Sequence, residues 1–205
     1  MNVMNTEYIE LSRVFDIYSP IDIDVVRKIN SLGAALIGGS AVQTLARSFG
    51  IMPRRKRSYN DLDFIIGDAG KVAEIDAYLK SAGFVMTGEF EFTDPTLHYY
   101  NEEYDVEADL FNSFYVHPSD FIERNGLLFW NPVWLYASKI QRVAMPGSVE
   151  RETDLMDLMT LDEIISLEQL EDDVENVLML VGISQETLDR IQEKYLKYRN
   201  FKLSR

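Results

Sequence analysis

Two carboxylates stand at alternate positions of an apolar segment, "NDLDFII" at residues 60–66. Leu62 and the three apolar residues at 64–66 are typical of a short buried strand. Because side chains alternate along a strand, Asp61 and Asp63 point to the same face, about 6.6 Å apart along the chain. Close carboxylates repel each other and resist desolvation. The pair therefore indicates either a solvated strand start or a site where a cation lies between them.

A second acidic segment, "YDVEADLF" at residues 104–111, places Asp105, Glu107 and Asp109 on one face of a strand if it alternates strictly. The ordinary interpretation is a half-exposed antiparallel strand with a polar outer face. The alternative is that one of these carboxylates joins the first pair from a neighbouring strand. Three such carboxylates could hold two divalent cations, the arrangement that stabilises the attacking and leaving oxygens in phosphoryl or nucleotidyl transfer.

A glycine-rich turn and a basic run add possible phosphate contacts. "LIGGSAV" at residues 36–42 predicts a strand, a turn at Gly38 and Gly39, and a helix whose free N–H groups could meet a phosphate, with the Ser40 hydroxyl beside them. The simpler interpretation is a tight turn in which Ser40 caps the helix. The run "RRKR" at residues 54–57 is typical of a solvated loop, and Arg57 is the member best placed to reach a phosphate.

The remaining patterns predict an α+β protein in two parts, a sheet-bearing part at residues 1–130 followed by a helical region at residues 131–205. Asn131 and Pro132 are a cap and first-turn pair that opens a helix at residues 132–145. From residue 148 the pattern is helical, with a break at 182–184. Earlier in the chain we predict helices at 20–31, 40–50 and 70–83, and strands at 34–39, 84–92, 96–101 and 104–111.

Composition narrows the kinds of site that the chain could build. It has 205 residues, no cysteine and two histidines, His98 and His117, so any metal should be a hard cation held by oxygen. The net charge of -14 lies mostly in residues 150–193, which hold fourteen acidic and two basic residues, so it does not exclude a polyanionic substrate elsewhere. No signal peptide or membrane-length apolar run is evident, and we expect a cytoplasmic protein.

Taken together, Gly38-Gly39-Ser40, Asp61-Leu62-Asp63 and the acidic strand at 105–109 resemble the motifs of the DNA polymerase beta-like nucleotidyltransferase superfamily. The resemblance covers roughly residues 30–160, and it implies that residues 1–130 form a nucleotidyltransferase-like domain with a small mixed β-sheet flanked by helices. It implies transfer of a nucleoside monophosphate from an NTP to an acceptor hydroxyl, with release of pyrophosphate and two Mg²⁺ or Mn²⁺ ions held by Asp61, Asp63 and a third carboxylate. Asp109 in "ADLF" best matches the third family carboxylate and would also be the general base, while Asp105 and Glu107 remain alternatives.

The C-terminal part resembles bacterial nucleotidyltransferases related to abortive-infection and type IV toxin–antitoxin toxins, and some antibiotic nucleotidyltransferases. The matching positions are Lys139, Arg151, and Asp154 with Asp157. The resemblance implies that Lys139 binds a triphosphate oxygen, the alternative being an exposed helix lysine. Two positions depart from the pattern: Thr153 replaces a lysine, and Tyr59 stands where many members have Thr or Ser.

The sequence leaves several acceptors and one other function open. The acceptor could be RNA, a protein or a small hydroxyl compound; the basic run favours an anionic acceptor, and the acidic C-terminal part suits a cationic one. A toxin would also have an antitoxin protein as its partner. The alternative function is that of a catalytically degenerate member that binds nucleotides or a partner protein without turnover. The replacement of the pattern's lysine by Thr153 is the observation that suggests it.

Overall fold

The computed structural model describes residues 20–52, 54, 61–88, 96–112, 116–144 and 152–193. The chain divides into two compact units, residues 1–131 and residues 132–205. The first contains the β-sheet and the second is helical among its described residues. None of the described helices has the length and apolar character required to cross a membrane.

The sheet of the first unit is mixed and, in the part of the chain that the structure describes, has seven strands in the order β3-β4-β5-β2-β1-β7-β6. Two neighbouring pairs are parallel, β2 with β5 and β1 with β7, and the other pairs are antiparallel. The strands are β1 Ala34–Ile37, β2 Asp61–Ile66, β3 Val85–Met86, β4 Thr96–Asn101, β5 Val106–Asn112, β6 Phe121–Arg124 and β7 Leu127–Trp130.

Among the described residues of the first unit, three α-helices accompany the sheet: α1 Pro20–Ser31, α2 Gly38–Ser48 and α3 Val72–Ser81. The strands next to α2 are buried on both sides, which explains why β1 and most of β2 read as continuous apolar runs. This architecture confirms the predicted mixed sheet flanked by helices. The helix predictions at 20–31 and 70–83 are confirmed within two residues at each end.

The second predicted helix begins earlier than expected. We predicted that Ser40 caps a helix at 40–50, but α2 begins at Gly38, and Ile37 occupies the N-cap position without a side-chain capping hydrogen bond. Ser40 lies inside the first turn, where its hydroxyl donates to the Ile37 carbonyl at 3.4 Å. The cap prediction was therefore wrong, because the glycines belong to the helix rather than to a turn before it.

Two local features near β5 and β7 also differ from expectation. Asp105 was placed in the strand, but it adopts φ 52° and precedes β5, so strict alternation begins only at Val106. No element was assigned to residues 112–130, where β6 and β7 form a hairpin. Its turn is Asn125-Gly126, and both residues have positive φ, as the tight two-residue hairpin turn requires.

The second unit contains α4 Pro132–Ala144, α5 Glu152–Glu168 and α6 Glu171–Leu180, followed by helical residues 185–193. The start of α4 at Pro132 and the break at 182–184 are confirmed, and a further break occurs at Gln169, which has φ 58°. The core of this unit is a cluster of apolar side chains from these helices: Ala137, Ile140, Val143, Leu158, Leu178 and Ile191.

Candidate active site

Three carboxylates meet on two parallel strands of the sheet. Asp63 on β2 lies directly opposite Asp109 on β5, and Asp61 precedes Asp63 on the same face. One ligand oxygen from each of Asp61, Asp63 and Asp109 lies within 4.8 Å of the others. Among the described residues this acidic group does not include Glu107 or Asp105, so Asp109 is the third carboxylate that the geometry selects.

The donor set fits a hard divalent cation. All three groups offer carboxylate oxygens, which are the ligands that Mg²⁺ and Mn²⁺ prefer. Asp61 is exposed, while Asp63 and Asp109 are half-buried, so the negative charge is concentrated at a partly desolvated point. A cation between the carboxylates would remove their mutual repulsion and make the electrostatic energy of the group favourable.

Gly38 lies against the Asp63 carboxylate. Its neighbour Ile37 pairs with Asp63 across β1 and β2, and the chain then turns into α2 with φ 71° at Gly38. A Cβ atom built on Gly38 would overlap Oδ2 of Asp63. Glycine is therefore required at this position for two reasons, the backbone conformation and the close approach of the carboxylate.

We expect Gly38→Ala to weaken Mn²⁺ binding at least about tenfold, because the new methyl group displaces the Asp63 carboxylate. The control is Gly126→Ala, which has the same φ of 71° but no atom within 4 Å of the added Cβ. Both substitutions should destabilise the fold by about 1–2 kcal/mol through backbone strain alone. Isothermal titration with Mn²⁺ should separate them, and equal metal affinity in the two variants would contradict the close-approach argument.

The other two predicted nucleotide contacts of this segment directly follow Gly38. Gly39 follows Gly38 in the first turn of α2, and Ser40 is buried beside them. The Ser40 carbonyl accepts a hydrogen bond from Thr44 Oγ1 at 2.8 Å. The phosphate contacts predicted for Gly38, Gly39 and Ser40 stay predictions. Arg57 and Tyr59 lie outside the described residues.

The structure adds a residue to which the sequence patterns assigned no role. His98 on β4 lies directly opposite Asp109, and its Nδ1 is 2.8 Å from Asp109 Oδ1. In the sequence, this contact was indicated by a histidine in the predicted strand at 96–101, which directly precedes the acidic strand at 104–111. Only the β4–β5 register brings the two side chains together, and that register depends on the whole sheet.

A cavity of about 460 Å³ opens beside Asp109 on the same side of the sheet. Within it, Tyr100 Oη donates a hydrogen bond of 2.9 Å to Asp105 Oδ1. That hydrogen bond, partial burial and the neighbouring carboxylates raise the pKa of Tyr100 above its ordinary value. The lining is polar and largely acidic: Thr87, His98, Tyr99, Tyr100, Asp105, Glu107 and Asp109.

Lys139 belongs to a separate cluster in the second unit. Its Nζ lies 2.8 Å from Asp154 Oδ1 and 2.8 Å from Asp157 Oδ2, and the residue is only 5% exposed. The alternative of an exposed helix lysine is therefore wrong. Arg142 extends the cluster from the solvent side, with Nε 3.7 Å from Asp154 Oδ2. Three positions that match the C-terminal motif thus meet in one buried ion cluster, while Arg151 lies outside the described residues.

No protein-family model matches the sequence, and no curated protein matches it. The fold is similar to the solution structure of the antibiotic-resistance factor ANT(2'')-Ia, with a TM-score of 0.55 and 11% identity over 93% of this chain and 98% of that chain. It is also similar to the Megavirus polyadenylate synthase, with a TM-score of 0.50 and 14% identity over 77% of this chain. The match spans 32% of the viral enzyme. At these identities the likeness concerns the fold.

Proposed function

Because the chain has the fold of the nucleotidyltransferase superfamily, we propose that it is a metal-dependent nucleotidyltransferase that moves a nucleoside monophosphate from an NTP to an acceptor hydroxyl. The observation that carries the proposal is the meeting of Asp61, Asp63 and Asp109 on adjacent parallel strands. An acidic pair alone suits many solvated strands, but three convergent carboxylates against a glycine turn suit metal-assisted transfer of a nucleotide.

Each carboxylate has a role in this reaction. Asp61 and Asp63 would hold two divalent cations with Asp109, and such cations supply stabilisation of charge on the attacking and leaving oxygens. Asp109 would accept the proton of the acceptor hydroxyl. The acceptor oxygen then forms a bond to the α-phosphorus, the bond from that phosphorus to the bridging oxygen breaks, and pyrophosphate leaves. Gly38 lets the Asp63 carboxylate approach the start of α2.

The cavity beside Asp109 bears on the acceptor. Its lining includes Asp105 and Glu107 in addition to Asp109, and these carboxylates repel a phosphate backbone. An acceptor that entered here would therefore be a neutral or cationic hydroxyl compound in preference to RNA. The antitoxin partner rests on the sequence resemblance and stays a prediction.

The alternative is a catalytically degenerate member that binds nucleotides or a partner protein without turnover. The ion pairs of Lys139 with Asp154 and Asp157 support this alternative. The Lys139 ammonium would have to give up a carboxylate partner before it could bind a triphosphate. Buried ion clusters of this kind serve to hold helices together as well as to bind substrates. The two functions differ in whether an NTP is consumed.

The deciding experiment is a thermal-shift titration with ATP, GTP, CTP and UTP, each with and without Mg²⁺ or Mn²⁺, followed by assay of pyrophosphate release with a panel of hydroxyl acceptors. A ligand that binds only the native state at ~100 times its Kd adds about 2.7 kcal/mol, which raises the midpoint by several degrees. A metal-dependent shift with one NTP, followed by acceptor-dependent pyrophosphate release, supports the enzyme. A shift without turnover supports the degenerate alternative, and no shift at saturating metal contradicts both nucleotide-binding functions.

A further inference from the structure

We propose that His98 is a positioning residue for Asp109: it holds one carboxylate oxygen by a hydrogen bond so that the other is directed to the metal. The inference rests on the proposed metal site and assigns an additional residue to it. The relevant geometry is the register of three neighbouring strands. Asp109 lies on the middle strand, with Asp63 opposite it on β2 and His98 opposite it on β4.

The contact has the geometry of a strong hydrogen bond. His98 Nδ1 lies 2.8 Å from Asp109 Oδ1. A carboxylate can only accept, so the imidazole must carry hydrogen at Nδ1. Hydrogen bonds to a carboxylate are shorter and stronger than those between neutral groups, and each carboxylate oxygen can accept separately. One oxygen of Asp109 is thereby committed to His98, which leaves Oδ2 for a cation.

Asp109 needs such a partner because of its neighbours. The last torsion of an aspartate is broad, so the carboxylate plane is poorly determined by rotamer preference alone. The charges of Asp61 and Asp63, within 4.8 Å, push the Asp109 carboxylate away from the position that a shared cation requires. A donor on the opposite side fixes the plane before the cation binds. Partners of this kind around metal ligands are worth about 10–100-fold in metal affinity.

The surroundings of His98 fit positioning better than packing. Its side chain is 44% exposed, whereas that of Asp109 is 24% exposed, so the imidazole contributes little to the core. Its backbone is nevertheless held firmly, because β4 pairs with β5 on one side and Thr87 N–H donates to the His98 carbonyl at 2.9 Å on the other. A rigid strand therefore carries an exposed imidazole whose described partner is a metal ligand.

The test uses three substitutions of His98 in the full chain and measures Mn²⁺ binding by isothermal titration. Asn places its amide nitrogen where Nδ1 lies and can still donate to Asp109, whereas Gln places it one bond further and Leu cannot donate. We expect His98→Asn to retain Mn²⁺ affinity within about threefold, and His98→Leu to lose about 10–100-fold. His98→Gln should resemble Leu. In the transferase assay with saturating NTP, the same order should appear in kcat.

Two controls keep the inference separable from the proposed function. His117→Asn alters the other histidine, which contacts Ser119 rather than the carboxylates, and should bind Mn²⁺ like the wild type. Asp63→Asn should abolish tight binding; if it does not, the metal site itself is wrong. If Asp63→Asn abolishes binding while His98→Leu binds Mn²⁺ normally, only the positioning role is overturned. Equal losses in His98→Asn and His98→Leu would also overturn it, since a retained donor should preserve affinity.

Discussion

Asp63→Asn should reduce nucleotidyl transfer by at least about 10³-fold, because a carboxylate shared by the metal ions supplies several kcal/mol of transition-state stabilisation. Asn has the same shape as Asp, so the packing against Gly38 is kept while the charge is lost. Pyrophosphate release at saturating NTP and Mg²⁺ measures the effect. Mn²⁺ titration of the same variant shows whether the loss lies in metal binding.

The matched control is Asp172→Asn, which removes an equal charge from an exposed position in α6. It should leave transfer unchanged. Without metal, Asp63→Asn should unfold at a higher temperature than the wild type, since removal of one carboxylate relieves repulsion within the acidic group. A variant that keeps full activity would show that Asp63 is not a metal ligand in the reaction.

Lys139→Met should lower the free energy of unfolding by about 3–5 kcal/mol, the usual cost of removing one partner from a buried ion pair. Met has a similar length and can occupy the same space, so the loss is one of charge. Asp154 and Asp157, each within 2.8 Å of Nζ, would face each other without their cation. Urea denaturation of the full chain measures the change.

Arg142→Met is the control, because Arg142 contacts the same Asp154 but its side chain is 52% exposed. An exposed partner of this kind contributes about 0–1 kcal/mol. The triple substitution of Lys139 to Met with Asp154 and Asp157 to Asn should recover part of the lost stability. If Lys139→Met is as stable as the wild type, the buried cluster does not hold α4 to α5, and the predicted phosphate contact of Lys139 becomes the better account.

Several elements of the site followed from local patterns. The common face of Asp61 and Asp63 follows from the two-residue period of a strand, a local property once the segment is extended. The Gly38-Gly39 pair was predicted to meet a phosphate, and that contact stays a prediction; the structure shows the Asp63 carboxylate against Gly38. Alternation left three candidates on the second strand, and only the resemblance of "ADLF" to the third family carboxylate favoured Asp109. The geometry now selects the same residue.

Other features were visible in the sequence but were interpreted incorrectly or missed. Ser40 has the residue type of a cap, yet the helix begins two residues before it. Asp105 continues the alternation of the acidic strand, but it lies in the preceding turn with positive φ. Asn125-Gly126 between two apolar runs is a strong hairpin signal and could have predicted β6 and β7.

Residue spacing and strand period are local properties, so the amino-acid sequence was enough to identify the carboxylates that could bind a metal and to place Asp61 and Asp63 on one strand face. The parallel pairing of β2 with β5, and the position of β4 on the other edge of β5, are properties of the folded sheet. Strand order and register depend on contacts between segments distant in the chain. For that reason the partnership of His98 with Asp109, and the enclosure of Lys139 by two carboxylates, could be found only in the folded protein.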